Sequence, residues 1–288
     1  LEDHGDRRRD DYFWLRDKSN PEVLAYLAAE NRYTESRMRA TEALQATLYQ
    51  EMVGRIQEDD ISAPTRRGGY EYYTRTKKGQ QYPIWCRRQG AGAPEQVLLD
   101  GNSLAQGHSY FQVGAFSVSP DQALVAYATD TEGDEIFTVQ VKDLSTGEVL
   151  ADRIENAHYS LVWAEDNRTL FYNVLDAAKR PYKVFRHTLG QTGADTEVYH
   201  ETDERFTVEV AKTRSRALVL LQIESAITSE VRYLPAGQPD AAFDVLYSRT
   251  DDVQYQAAHH DGHWYVRIND TGRTFRLIQA PLGDPGRR

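Results

Sequence analysis

The stretch Ser119-Pro120-Asp121-Gln122-Ala123-Leu124-Val125-Ala126-Tyr127-Ala128-Thr129 decides the fold. Its Ser-Pro-Asp opening is turn chemistry, and the apolar run from Leu124 reads as a short strand. A second strand-type run covers residues 137–143, and Ser145-Thr146-Gly147 then turns the chain again. The same pattern returns three times. Glu165-Asp166-Asn167 precedes runs at 170–174 and 183–188, Thr213-Arg214-Ser215 precedes runs at 217–223 and 231–234, and His260-Asp261-Gly262 precedes runs at 264–268 and 275–280. Corresponding turns lie roughly 46 to 48 residues apart, between the spacings of WD and kelch repeats.

A turn-strand-strand unit repeating at this length predicts a mainly β fold, a β-propeller of four-stranded blades. Runs at 70–75, 82–87 and 96–99, separated by Gly, Lys and Pro, form an earlier unit. About five blades are therefore expected, the last truncated. Rings of such blades commonly hold about six to eight, and Leu282-Gly283-Asp284-Pro285-Gly286 reads as a turn inside a blade, so this partial propeller is expected to stop before closure. A β-sandwich is the alternative, which the regular long repeat disfavours.

The first residues follow another rule. Asn20 offers an N-cap and Pro21 a pre-set first helical position, and Ala, Leu and Glu dominate to about Arg39. From Thr41, Leu44, Leu48, Met52 and Ile56 recur every four residues as one apolar stripe. Residues 1–62 are thus expected to be a helical arm and 63–288 the incomplete propeller.

Composition narrows the function. Apolar residues at 40% and aromatics at 11% suit a packed, strand-rich chain. A net charge of −10 argues against non-specific nucleic-acid binding. The single cysteine, Cys86, excludes an internal disulfide and suits a reducing cytosol. No run is long enough for a membrane span, and the amino terminus lacks the apolar stretch of a signal peptide. The missing initial Met points to a trimmed chain.

The start His4-Gly5-Asp6-Arg7, followed by Asp10-Asp11-Tyr12-Phe13-Trp14-Leu15-Arg16-Asp17, resembles the amino-terminal signature of the prolyl oligopeptidase family. Pro21-Glu22-Val23-Leu24-Ala25-Tyr26-Leu27, Glu30-Asn31, Glu58-Asp59-Asp60, Tyr73-Thr74-Arg75 and Tyr82-Pro83-Ile84-Trp85-Cys86-Arg87-Arg88 are similar to its oligopeptidase B branch. The resemblance covers essentially the whole chain and is densest up to Asp100. It implies a seven-bladed propeller over an α/β-hydrolase domain that is absent from this chain, with Trp14 and the Leu44-to-Ile56 stripe packing the arm onto that domain. It also implies cleavage of short peptides after Arg or Lys through an acyl-enzyme, no cofactor, and a propeller that admits only small unfolded substrates.

That chemistry needs a serine on a strand-turn-helix elbow, a histidine and a carboxylate. The nearest imitation, Gly101-Asn102-Ser103-Leu104-Ala105, lacks the second glycine and follows Asp100-Gly101, a turn signal rather than a helix opening. His259, His260 and His263 flank a tight turn and read as surface turn residues, since a zinc helix would be needed to align them. Arg7-Arg8-Arg9 reads as a solvated patch and Lys77-Lys78-Gly79 as a hairpin turn. Cys86 reads as a buried strand thiol, and the pairs Asp10-Asp11, Asp59-Asp60 and Asp251-Asp252 as solvated loop ends. No catalytic, cofactor-binding or metal-ligating residue is assigned. Expected partners are short peptides with basic residues and the missing hydrolase domain, with no nucleic acid and no membrane.

Two rivals remain at this level. A stand-alone propeller scaffold leaves the arm without a purpose and five blades with unpaired edges. A propeller glycosidase needs a paired-carboxylate signal that is not discernible.

Overall fold

A computed structural model describes residues 2–7 and 9–287. They divide into two compact units, split between Asp60 and Ile61. The first opens with a two-stranded antiparallel pair, β1 (Glu2–Asp3) and β2 (Asp6–Arg7). The helices α1 (Pro21–Met38) and α2 (Glu42–Val53) follow. Helix α1 starts where the sequence predicts, because the Asn20 side chain accepts the Glu22 N–H at 2.9 Å. Helix α2 ends at Gly54, whose N–H reaches the Gln50 carbonyl, so Ile56 falls in the turn beyond it. Leu44, Leu48 and Met52 are 58%, 45% and 60% exposed, an apolar row with nothing over it in this unit. Among the described helices, none is long and apolar enough to cross a membrane.

The second unit is built from five sheets in sequence order, each an antiparallel meander. Blade 1 comprises β3 (Thr65–Arg67), β4 (Tyr70–Arg75), β5 (Ile84–Arg88) and β6 (Gln96–Asp100). Blade 2 holds β7 (Gln112–Val118), β8 (Leu124–Asp130), β9 (Phe137–Asp143) and β10 (Val149–Ala157). Blade 3 holds β11 (Leu161–Trp163), β12 (Thr169–Leu175), β13 (Pro181–Thr188) and β14 (Thr196–His200). In blade 4 the strands are β15 (Thr207–Lys212), β16 (Leu218–Glu224), β17 (Ser229–Pro235) and β18 (Asp244–Tyr247), and blade 5 has three: β19 (Tyr255–His260), β20 (His263–Ile268) and β21 (Arg276–Pro281). Five blades with a shortened last one are thus present, as the repeat predicts.

The turn between first and second strands carries a left-handed residue in every blade: Gly68, Gln122, Asn167, Arg216 and the Asp261-Gly262 pair. Non-glycine residues at such angles carry a local cost, and the recurrence at one register position shows that the turn geometry is imposed by the blade.

Apart from a small cluster of Tyr73, Ile84 and Cys86 inside blade 1, the cores form between blades. Phe137 and Val139 of blade 2 pack with Trp163, Leu170 and Tyr172 of blade 3. Phe171 and Val184 then meet Val208 and Leu221 of blade 4, and Leu218 and Leu220 meet Trp264 and Val266 of blade 5. Each fully buried side chain of this kind contributes about 1.5–3 kcal/mol. Blades therefore hold one another in a row. First strands of successive blades lie side by side, β7 by β11 and β11 by β15, and so line the inner edge.

Candidate functional site

The last residues of the first strands converge. Arg67, Val118, Trp163 and Lys212 end β3, β7, β11 and β15, and they share the wall of a cavity of about 280 Å³. Blades 1, 3 and 4 fasten their strand ends to a neighbour's backbone. Arg67 Nη2 donates to the Val118 and Ser119 carbonyls at 2.9 and 3.3 Å, Trp163 Nε1 to the Ser117 carbonyl at 2.9 Å, and Lys212 Nζ to the Trp163 carbonyl at 2.8 Å.

Charge gathers at the same place. Lys212 Nζ lies 2.6 Å and Arg216 Nη2 3.2 Å from the same Glu165 oxygen, while Arg214 completes the rim. Burial pushes the Lys212 ammonium below its ordinary value, with Arg216 and Arg67 adding to the shift and Glu165 opposing it. Arg67 is lowered by burial and then by the Arg216 charge. Burial would raise the Glu165 carboxyl, but the bond to Lys212 and the two cations hold it below its usual range. The cluster is thus a coupled set in which cations outnumber the carboxylate.

Two fragments of hydrolytic machinery also appear, in different blades. Ser215 Oγ lies 2.8 Å from His259 Nδ1, a hydroxyl-imidazole pair, but His259 Nε2 is buried with no hydrogen-bond partner, so no carboxylate orients the ring. His187 has the opposite deficiency. Its two nitrogens lie 3.0 and 2.8 Å from Asp152 and Asp195, and Tyr172 OH bonds Asp195 at 2.7 Å, with no serine in the set. Neither fragment assembles nucleophile, base and orienting acid together.

The sequence-derived candidates are placed as follows. Gly101–Leu104 is a short helix, α3, which corrects the expectation of a plain turn: the Asp100 side chain accepts the Asn102 N–H and opens a helical turn. Ser103 is exposed on it. His260 is exposed at the Asp261-Gly262 turn, but His259 is half-buried against the Trp264 ring, correcting its reading as a surface residue. Cys86 is buried in β5, and burial followed by the Glu95 charge pushes its thiol up to about 11, far from reactivity. All six aspartates of the three acidic pairs are exposed. Arg7 and Arg9 are exposed, and Arg8 lies outside the described residues. No group of three or more metal-ligating side chains is found among the described residues.

The family model described as "Prolyl oligopeptidase, N-terminal beta-propeller domain" matches residues 1–288. This chain belongs to the prolyl oligopeptidase family. Among prolyl oligopeptidase relatives, it is 41% identical over 306 aligned positions to dipeptidyl aminopeptidase BI of Pseudoxanthomonas mexicana, covering 99% of this chain and 42% of that protein. It is 33% identical to protease 2 of Moraxella lacunata, covering 98% of this chain and 42% of that protein. The solved oligopeptidase B from Leishmania major superposes with a TM-score of 0.91 at 31% identity, covering 96% of this chain and 40% of that one. The chain thus spans about two-fifths of the length of these prolyl oligopeptidase relatives, and its 288 residues hold the arm and the propeller without a catalytic domain.

Sequence reasoning missed Ser215 with His259, and Arg67, Lys212 and Arg216 with Glu165. Their one shared signal was register. All sit at or beside the first-to-second-strand turn of their blades, and for blades 2 to 5 the repeat alignment sets those turns over one another.

Proposed function

We propose that this chain is the amino-terminal arm and propeller of a serine oligopeptidase that hydrolyses short peptides after Arg or Lys, the propeller restricting entry to small unfolded substrates. The observation that carries this reading is the match along the whole chain to a propeller domain found in peptidases, together with the likeness to oligopeptidase B in sequence and backbone. The exposed Leu44, Leu48 and Met52 row supports an arm that a further domain covers, since apolar rows of this kind mark contact surfaces. A cytoplasmic setting suits the lone buried thiol.

The chemistry belongs to the hydrolase domain, so the 288 residues alone are expected to be inactive. The test is hydrolysis of an amino-blocked peptide with one internal arginine, by the full-length protein and by this chain. Cleavage after arginine by the full-length protein alone supports the reading; turnover by this chain alone overturns it. A second mode is favoured by the 41% identical relative, whose name describes a dipeptidyl aminopeptidase. Release of dipeptides only from peptides with a free amino end would select that mode. Stable capture of a folded partner without any hydrolysis would select the scaffold.

A further inference from the structure

We propose that the strand-end cavity shared by blades 1 to 4 binds the carboxylate of a peptide, a free carboxyl terminus above all. This rests on the reading of the chain as part of a peptide-handling enzyme.

The argument starts from charge. Arg67, Lys212, Arg214 and Arg216 border the cavity, and Glu165 is the carboxylate their ion pairs engage. Carboxylates of the adjoining turns are committed elsewhere. Asp121 accepts from the Ser119 hydroxyl and the Ala123 N–H, and Asp166 from the Thr169 hydroxyl and the Arg168 and Thr169 N–H groups. Arg214 forms no ion pair among the described residues, and the Arg67 Nε–H is buried without a partner. A concentration of cations in a chain of net charge −10 is not a reflection of overall composition. Partly buried like charges repel strongly at low dielectric, so an entering anion relieves the repulsion and satisfies open donors together.

Shape and lining select the class of anion. About 280 Å³ lies near the lower limit of small-molecule sites, with room for one terminal residue and not for a nucleotide. The wall also contains Val118, Val162 and Trp163, which suit an amino-acid side chain and offer nothing to inorganic phosphate. Of the three guanidinium groups, Arg216 already engages Glu165 and Arg67 Nη2 the Val118 and Ser119 carbonyls, whereas the Arg214 fork matches the planar, two-oxygen geometry of a carboxylate. Placement matters too: the site lies at the inner edge of the propeller, where the first strands of four consecutive blades end.

The experiment is calorimetric titration of the full-length protein with acetyl-Ala-Ala-Leu as free acid, the same peptide as its amide, and inorganic phosphate. None contains arginine or lysine, so the proposed hydrolysis does not interfere. The free acid is expected to bind about tenfold more tightly than the amide, as charge-assisted fork contacts imply. Arg214→Ala, an exposed position, is expected to remove most of that preference while leaving amide binding unchanged. Arg67→Lys, which keeps the charge and loses the fork, is expected to fall between. Equal binding of acid and amide, or a preference that survives Arg214→Ala in full, overturns the proposal. So does tight phosphate binding that the peptide acid does not displace. Hydrolysis of an arginyl reporter is measured separately: its failure would sink the peptidase reading and leave the acid-against-amide comparison standing.

Discussion

Lys212 Nζ donates to the Trp163 carbonyl at 2.8 Å and lies 2.6 Å from Glu165, so one ammonium ties the inner strand of blade 4 to that of blade 3. Replacing it by a neutral side chain of similar length, Lys212→Met, leaves the carbonyl unpaired and Glu165 held by Arg216 alone. The expected loss is about 1–3 kcal/mol in chemical denaturation. An unchanged midpoint would mean that the tie contributes nothing.

Gly114 packs under the Phe137 ring so closely that an added Cβ would lie 2.3 Å from a ring carbon. It sits at the register shift between Val113 and Ala115 where β7 departs from β8. Because Phe137 is fully buried, the ring has nowhere to retreat. Gly114→Ala is expected to destabilise by about 1–3 kcal/mol through overpacking, read by thermal unfolding.

Trp264 is fully buried between Tyr233 and His259, yet its indole N–H has no partner. Its value is therefore in its area. Trp264→Ala is expected to cost about 3–5 kcal/mol, whereas Trp264→Phe keeps most of the packing and sheds an unsatisfied donor. Equal losses for the two variants would contradict this account.

Acid sensitivity follows from Asp130. Burial would raise its carboxyl, but N–H groups of Glu132, Gly133 and Glu135 at 2.8 to 2.9 Å outweigh it and hold the group below its ordinary range. A carboxyl depressed in the folded state stabilises above its unfolded value of about 4 and loses that contribution as pH falls through the folded value. Asp130→Asn is therefore expected to be less stable than the parent at pH 7, with the gap closing below about pH 4. A gap that stays constant down to pH 3 would argue against the carboxylate.

The middle strands of the blades were legible because burial on both faces writes them as nearly unbroken apolar runs. Residues 124–129 and 170–174 predict β8 and β12 almost to their ends. The first strands β3 and β11 were not, since they have three residues each, too few for any period to show. The outer strand β14 failed for another reason: it has no buried residue and mixes polar with apolar side chains, so it pairs by backbone without an apolar signature. The basic cluster was invisible as a motif. Arg67, Glu165 and Lys212 lie in three different blades, and only the superposition of repeats brings them together.

Because the cores that join blades 1 to 5 each lie between two consecutive blades, each blade leans only on its neighbours. Drawn out from blade 5 by its end, such a unit would yield stepwise, one blade per event, like pages torn singly from a binding. Each step would free one repeat of roughly 46 to 48 residues, on the order of 160 Å of extended chain, and the blades not yet reached would stay folded. A saw-tooth of evenly spaced force peaks would be the mechanical signature of cores shared between blades.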